Sequence, residues 1–204
     1  MPEASRSDDL DAMRQLAHTP GDSSSLRELR AEGKKTARER ISQLLDKGSF
    51  VEVDSFVQHR AGDHNMHLHR PLGDGVVAGH GMIDGRRVVC FAQDYAVFSG
   101  TMGEMHAKKV AKVAEFAEKS QLPLIGIWDG DGQRVEEGVT SLGATGELLD
   151  ILVACSGRIP MFSLVLGTVS GVSALAAGLS DFVILGSEHG SCLLYTSPSP
   201  RDAS

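Results

Sequence analysis

Two glycine-rich segments contain the residue types that bring backbone N–H groups and a cationic side chain close to a ligand. The first is the segment 130–134 (GDGQR), which follows an apolar run at 124–128. Loops at the carboxyl ends of parallel strands are the usual ligand positions in open α/β sheets. We predict that this glycine turn holds Arg134 near an anionic ligand. The alternative is a surface turn in which Arg134 forms an ion pair with Glu136 or Glu137.

The second segment, 167–172 (GTVSGV), joins an apolar run to a helix of small residues. The first N–H groups of a helix lack intrahelical partners and carry the positive end of the helix dipole. Such a helix start can hold a phosphate group or an oxyanion that develops during a reaction. The alternative is tight packing of the helix against its strand. No serine is the centre of a G-x-S-x-G motif and nothing pairs a cysteine with a base, so the sequence favours electrostatic over covalent catalysis.

The histidines and cysteines do not form a recognisable metal site. The spacing of five histidines matches no known ligand frame; they are His59, His64, His67, His69 and His80. We expect a surface loop over 58–72 and no bound metal. No CxxC motif is present, and we expect buried thiols of a reducing compartment; the cysteines are Cys90, Cys155 and Cys192.

The charge balance argues against nucleic acid as a partner. With 20 lysine and arginine residues against 27 aspartates and glutamates, the formal net charge is −7, which leaves no basic excess to neutralise a phosphate backbone. The uncharged stretch 159–180 is interrupted by a proline and three glycines, so a buried strand–loop–helix is a better interpretation than a membrane span. The first residues lack an apolar signal region. We therefore expect a cytoplasmic location.

The elements that position these segments begin with a polar amino-terminal stretch. Residues 1–24 predict a mobile leader. Residues 25–48 have apolar side chains at three- and four-residue steps and predict a helical segment. Gly33 splits this segment into two helices, and Gly48 ends the second one.

From residue 50 onward the pattern predicts strands, and then alternating helices and strands. Asp84-Gly85 between two apolar runs is typical of a type I′ hairpin turn, which needs positive φ at both central positions. The predicted strands are 50–57, 76–83, 86–92, 124–128, 161–166 and 182–185, and the predicted helices are 104–119, 146–156 and 172–178. Because helices alternate with strands after residue 104, we predict an α/β fold with right-handed crossovers and much parallel pairing.

Five blocks carry a resemblance to a known family, in this order: 34–54 (KKTARERISQLLDKGSFVEVD), 73–86 (GDGVVAGHGMIDGR), 91–109 (FAQDYAVFSGTMGEMHAKK), 123–147 (PLIGIWDGDGQRVEEGVTSLGATGE) and 158–184 (RIPMFSLVLGTVSGVSALAAGLSDFVI). Together they resemble the β subunit, or carboxyltransferase component, of biotin-dependent acyl-CoA carboxylases of the propionyl-CoA carboxylase type. The resemblance implies a crotonase-like spiral of ββα units, with two such domains per subunit. Residues 49–191 would then form an incomplete N-terminal carboxyltransferase domain of a truncated chain.

The resemblance also implies an activity and its site residues. Family members move a carboxyl group from carboxybiotin to the α-carbon of an acyl-CoA, through an enolate that an oxyanion hole of backbone N–H groups would hold. The implied donors are Ser170, Gly171 and Val172, with a second donor loop at Ser99 and Gly100. The implied substrate-binding residues are Gly132, Arg134, Glu137, Gly138 and Gly167.

For cofactors and partners, the resemblance implies acyl-CoA as substrate and biotin on a partner carrier domain. It further implies a biotin carboxylase or biotin carrier subunit as partner, and a homo-oligomer at full length. The absence of cysteine pairs argues against the zinc-bearing acetyl-CoA carboxylase branch. A chain that carries only the first domain is expected to be inactive alone and to expose apolar surface.

Three departures from the family pattern keep a non-catalytic CoA-binding or assembly subunit open as an alternative. Val172 and Asp131 replace glycines, and Gln133 replaces an alanine. A biotin-dependent acyl-CoA decarboxylase subunit of similar fold is the other alternative.

The last residues, 192–204, are rich in serine and proline and interrupt the alternation of strands and helices. They resemble the translation of a transposase sequencing adapter from Cys192 to Asp202. We predict a non-native tail without a partner element; the alternative is a natural proline-rich tail.

Overall fold

The computed structural model describes residues 6–19 and 21–193. In this part of the chain the helices are α1 (Arg6–His18), α2 (Ser23–Ala31), α3 (Ala37–Leu44), α4 (Glu104–Ser120), α5 (Val139–Cys155) and α6 (Gly171–Gly178). The strands are β1 (Val51–Glu52), β2 (Val76–Ile83), β3 (Arg86–Gln93), β4 (Leu124–Gly130), β5 (Met161–Ser170), β6 (Phe182–Leu185) and β7 (Ser191–Leu193). Short 3-10 turns lie at Met66–Leu68, Phe98–Gly100 and Val135–Glu137.

One sheet, in the order β1-β2-β3-β4-β5-β6, organises the described chain. The first three strands pair antiparallel, and β3 to β6 pair in parallel. The predicted hairpin is confirmed: β2 and β3 flank a turn in which Asp84 and Gly85 both have positive φ, at 49° and 75°. The predicted α/β class with parallel pairing is confirmed as well.

Helices cover both faces of this sheet. On one face α4, α5 and α6 contribute to a buried cluster that includes Val110, Leu148 and Val165. On the other face α3 places Ile41 against the side chains of β2 to β4. The burial of β5 alternates residue by residue, as expected when successive side chains point to opposite faces.

The amino-terminal segment differs from the prediction of a mobile leader. Residues 6–18 form α1, and Arg38 donates a hydrogen bond to the Ala17 carbonyl oxygen over 2.8 Å. Ala17 is buried, so the end of this helix lies against the folded chain. Residues 1–5 and 20 of the predicted leader lie outside the described residues. The two helices predicted over 25–48 are confirmed as α2 and α3, with Gly33 between them. The prediction that Gly48 ends the second helix is wrong, because α3 ends at Leu44 with Leu45 as its C-cap.

Two predicted elements have wrong boundaries. The strand predicted over 50–57 is reduced to the two residues of β1, and Asp54 has a φ of 54°, which does not fit a strand. The helix predicted from residue 146 begins at Val139 as α5. Its first turns contain Ser141 and a glycine, which are weak helix formers. Tertiary contacts compensate, since the Ser141 hydroxyl donates to the Arg134 carbonyl oxygen over 3.1 Å.

The prediction of a loop over 167–171 is also wrong, because β5 continues to Ser170 and α6 begins at Gly171. The strand is longer because β7 pairs with its last residues, matching Val169 with Cys192. The expectation that the tail has no partner element is therefore wrong for Cys192 and Leu193. Residues 194–204 lie outside the described residues, and the adapter origin of the tail stays a prediction.

Some apolar surface is exposed at the end of the sheet. All four residues of β6 are between 41% and 59% exposed. Cys90 and Cys155 are buried, as predicted, whereas Cys192 is exposed. Within residues 6–19 and 21–193, no helix is long and apolar enough to cross a membrane.

Candidate functional site

Three of the segments singled out by the sequence meet at the carboxyl ends of β3, β4 and β5. The segment 98–102 follows β3, and the segment 130–134 begins at the end of β4. Backbone hydrogen bonds join the two: Asp131 N–H donates to the Ser99 carbonyl oxygen over 3.1 Å, and Met102 N–H donates to the Gly132 carbonyl oxygen over 2.7 Å. The two segments therefore form one surface rather than two independent loops.

Gly132 brings the end of β5 to the same place. A Cβ atom at Gly132 would lie 3.0 Å from the Ser170 hydroxyl oxygen and 3.1 Å from its carbonyl oxygen. Those distances are tighter than ordinary van der Waals contact, and the φ of Gly132 is 86°, so a larger residue would be strained here. The structure thus places the predicted substrate-binding Gly132 beside the predicted donor Ser170.

The start of α6 supplies backbone donors. Ser170 is extended, with φ −128° and ψ 159°, and precedes Gly171 at the first helical position. The N–H groups of Gly171, Val172 and Ser173 have no intrahelical acceptor, since they belong to the first turn. Ser173 is fully buried, and within the described residues its hydroxyl oxygen has no hydrogen-bond partner. This junction can stabilise negative charge with N–H groups and the helix dipole.

The second predicted donor loop is only partly available. Gly100 N–H already donates to the Val97 carbonyl oxygen over 2.9 Å, which corrects the prediction that Gly100 offers its N–H to a substrate. A Cβ atom at Gly100 would collide with the Asp129 carbonyl oxygen, so the glycine is needed for packing. Ser99 remains the candidate donor of the pair.

Arg134 lies in the interior instead of at a ligand-facing surface. Its side chain is 1% exposed, and its guanidinium contacts Asp74 at 2.5 Å and Glu137 at 2.9 Å. The ion pair with Glu137 is the one the sequence offered as an alternative, although it is buried. Glu137 also accepts the Glu104 N–H at the start of α4 over 2.7 Å. Contact of Arg134 or Glu137 with substrate stays a prediction, and the structure shows both in structural roles.

Gly138 and Gly167 lie apart from the three converging segments. Gly138 is exposed at the start of α5 with a φ of 55°. Gly167 is buried within β5 and lies against the carboxylate of Asp129. That carboxylate accepts a hydrogen bond from Arg40 over 2.6 Å. The structure therefore explains Gly167 by packing against a buried ion pair.

Sequence reasoning missed the polar interior under these segments. His106 is fully buried, and burial holds the pKa of its ring well below the ordinary value. Its Nδ1 lies 3.2 Å from the Asp74 carbonyl oxygen. Gln93, at the end of β3, accepts the Asp129 N–H over 3.1 Å. In the sequence, the polar pair Gln93-Asp94 directly after an apolar strand was the one signal that could have indicated this polar interior.

Comparisons with known proteins agree with this architecture. The family described as "Carboxyl transferase domain" matches residues 28–201. The biotin-dependent acetyl-/propionyl-coenzyme A carboxylase beta5 subunit of Mycobacterium tuberculosis is 45% identical over 177 residues, which are 87% of this chain and 32% of that protein. The methylmalonyl-CoA decarboxylase subunit alpha of Veillonella parvula is 43% identical over 155 residues, covering 76% of this chain and 30% of that protein.

The same relationship appears in three dimensions. A structure of transcarboxylase 12S with methylmalonyl-coenzyme A and methylmalonic acid bound superposes with a TM-score of 0.85 and 33% identity, over 90% of this chain and 36% of that one. The predicted crotonase-like carboxyltransferase fold is confirmed. The chain spans about a third of the length of the relatives it matches. By sequence and by fold, this chain belongs to the carboxyl transferase domain family.

Proposed function

We propose that the chain is the acyl-CoA-holding part of the carboxyltransferase component of a biotin-dependent acyl-CoA carboxylase. The complete enzyme moves a carboxyl group from carboxybiotin to the α-carbon of an acyl-CoA. The observation that carries the proposal is the meeting of Gly132, Ser170 and the start of α6 at the carboxyl ends of parallel strands. Carboxybiotin enters as a substrate carried by a partner.

The chemistry explains why backbone donors suit this position. Loss of the α-proton of a thioester places negative charge on the carbonyl oxygen as the enolate forms. Fixed N–H groups at Gly171 and Val172 can stabilise that charge without reorganising. The glycines in the surrounding segments let the backbone approach the thioester closely. Val172 keeps its N–H but adds a branched side chain beside the proposed oxyanion position.

The relatives support the substrate and the partners. The Mycobacterium tuberculosis relative is named as biotin-dependent and as acting in acetyl- and propionyl-CoA carboxylation, which supports biotin and an acyl-CoA for this chain. The similar transcarboxylase 12S is a hexamer assembly within a multienzyme core, which supports a homo-oligomer for the full-length protein. The biotin dependence of the Mycobacterium tuberculosis relative supports a biotin carboxylase or biotin carrier subunit as partner. The free buried thiols of Cys90 and Cys155 support the proposal of a cytoplasmic location.

A proline substitution tests the donor at Val172 directly. Val172→Pro deletes one backbone N–H, and proline is tolerated in the first turn of a helix. Val139→Pro is the matched control, because Val139, like Val172, follows a glycine of positive φ and lies in the first turn of a helix. In the full-length protein with its biotin carboxylase and carrier, we expect Val172→Pro to lower kcat of acyl-CoA carboxylation by about 10²–10³-fold. Val139→Pro should leave it nearly unchanged.

The same assay separates the proposal from its alternatives. Binding of acyl-CoA without turnover of any thioester tested would favour a non-catalytic CoA-binding or assembly subunit. The 204-residue chain alone is expected to bind acyl-CoA in calorimetry but to transfer no carboxyl group. Measurable transfer by this chain would contradict the assignment of the remaining chemistry to the rest of the protein.

A biotin-dependent acyl-CoA decarboxylase subunit is a second candidate, because the Veillonella parvula relative bears a decarboxylase name. The discriminating measurement is release of carbon dioxide from a malonyl-type thioester in the absence of ATP. A decarboxylase releases it, whereas a carboxylase component requires ATP and bicarbonate through its partner.

A further inference from the structure

Three consecutive residues in the segment 98–102 have left-handed backbone geometry. Phe98, Ser99 and Gly100 have φ values of 50°, 51° and 65°. Positive φ is natural for glycine but costly for Phe and Ser, and a run of such residues is unusual. A turn of this kind persists only when its surroundings over-determine it.

The buried guanidinium of Arg134 contacts this turn from three directions. It lies over the Phe98 ring, with the central carbon 4.6 Å from the ring centroid. Its Nη2 donates to the Thr101 carbonyl oxygen over 2.9 Å, and its Nε lies 3.3 Å from the Thr101 hydroxyl. That hydroxyl donates to the Phe98 carbonyl oxygen over 2.7 Å. One side chain therefore holds both ends of the left-handed turn.

Arg134 is itself fixed from behind by two carboxylates. Asp74 and Glu137 contact the same Nη1 atom, so the guanidinium has little freedom to leave the turn. The Phe98 ring also makes T-shaped contacts with the rings of His59 and His69, at centroid distances of 5.7 and 5.4 Å. The turn is thus clamped between a buried ionic cluster and two aromatic contacts.

We infer that Arg134 is a positioning residue: it holds the left-handed turn at 98–100 so that Ser99 stays in register with the segment 130–134. The inference rests on the proposed function, because that register forms the proposed acyl-CoA surface. Arg134 would act through the turn, because its side chain is only 1% exposed. A lysine would keep the charge but lose the planar fork that contacts Thr101 and the flat face that covers Phe98.

The test uses Arg134→Lys in the 204-residue chain, with Arg158→Lys as the matched control on an exposed ion pair. Two quantities are measured: the intraresidue HN–Hα NOE of Phe98 and Ser99, which is strong when φ is positive, and the dissociation constant for propionyl-CoA. We expect Arg134→Lys to weaken both NOEs and to raise the dissociation constant about tenfold. Arg158→Lys should change neither. Unchanged NOEs and unchanged affinity in Arg134→Lys would overturn the inference.

A rescue experiment distinguishes positioning from general damage. Ser99→Gly removes the cost of positive φ at one position, so Arg134→Lys combined with Ser99→Gly should recover most of the lost affinity. Absence of any recovery would count against positioning.

If Arg134→Lys fails to fold, Thr101→Val replaces it, because this variant removes the hydroxyl contacts while leaving the ionic cluster intact; unchanged NOEs and affinity there would overturn the inference. If the wild-type chain binds no acyl-CoA, the proposed function fails for this chain, and the NOEs alone decide whether Arg134 holds the turn.

Discussion

The buried ion pair between Arg40 and Asp129 joins helix α3 to strand β4, and its contribution to the free energy of unfolding can be tested directly. Arg40 lies on α3, and its Nη2 is 2.6 Å from Asp129 Oδ2. Their side chains are 6% and 0% exposed. Within the described residues Asp129 Oδ1 has no hydrogen-bond partner, and the Nζ of Lys34 lies 4.0 Å from it.

Arg40→Met removes the cation but keeps much of the apolar stem. The Asp129 carboxylate then stays buried with only Lys34 near it. Removing one partner of a buried pair costs about 3–5 kcal/mol, and Lys34 offsets part of this, so we expect a loss of about 3 kcal/mol in the free energy of unfolding. A natural domain has about 5–15 kcal/mol in total, and the loss is therefore a large fraction.

Urea denaturation followed by circular dichroism measures this loss. The control is Arg30→Met, which breaks an ion pair whose side chains are 53% and 40% exposed and should cost at most about 1 kcal/mol. Adding Asp129→Asn to Arg40→Met removes the orphaned charge and should recover much of the stability. If Arg40→Met costs no more than Arg30→Met, the reasoning about the buried pair is wrong.

Two further predictions concern Gly167 and Asp94. Gly167→Ala would push a Cβ atom into the Asp129 carboxylate and should lower the free energy of unfolding by about 2 kcal/mol. The control is Gly143→Ala in helix α5, which has open space around it and should be neutral or stabilising. Equal effects of the two variants in urea denaturation would contradict the packing argument. Burial raises the pKa of Asp94 to about 6, so its neutral form contributes stability at low pH that is lost as the pH rises through 6. Relative to Asp94→Asn, the wild type should lose about 1 kcal/mol between pH 5 and pH 7, and parallel stability profiles of the two proteins would refute this.

The sequence pattern was sufficient to predict those elements whose structure depends mainly on their own residues. The Asp84-Gly85 turn and the helix at 104–119 follow from turn chemistry and periodicity, and the structure has them within one residue. The start of α5 was missed because its first turns are held by a contact from Ser141 to the Arg134 carbonyl oxygen, which no propensity contains. The strand extension to Ser170 was missed because glycines at 167 and 171 resemble a loop until β7 pairs with it.

The sequence by itself determined the α/β alternation, the family and the segments that meet at the proposed site, since periodicity and ordered motifs are properties of local sequence. Only the tertiary structure decided what each charged residue does. Arg134 meets Asp74 across 60 residues, and Arg40 meets Asp129 across 89. The energy of a charge depends on its burial and on which opposite charge lies beside it, and both are set by folding. For that reason Arg134, which the sequence placed near a ligand, lies in a buried ionic cluster with Asp74 and Glu137.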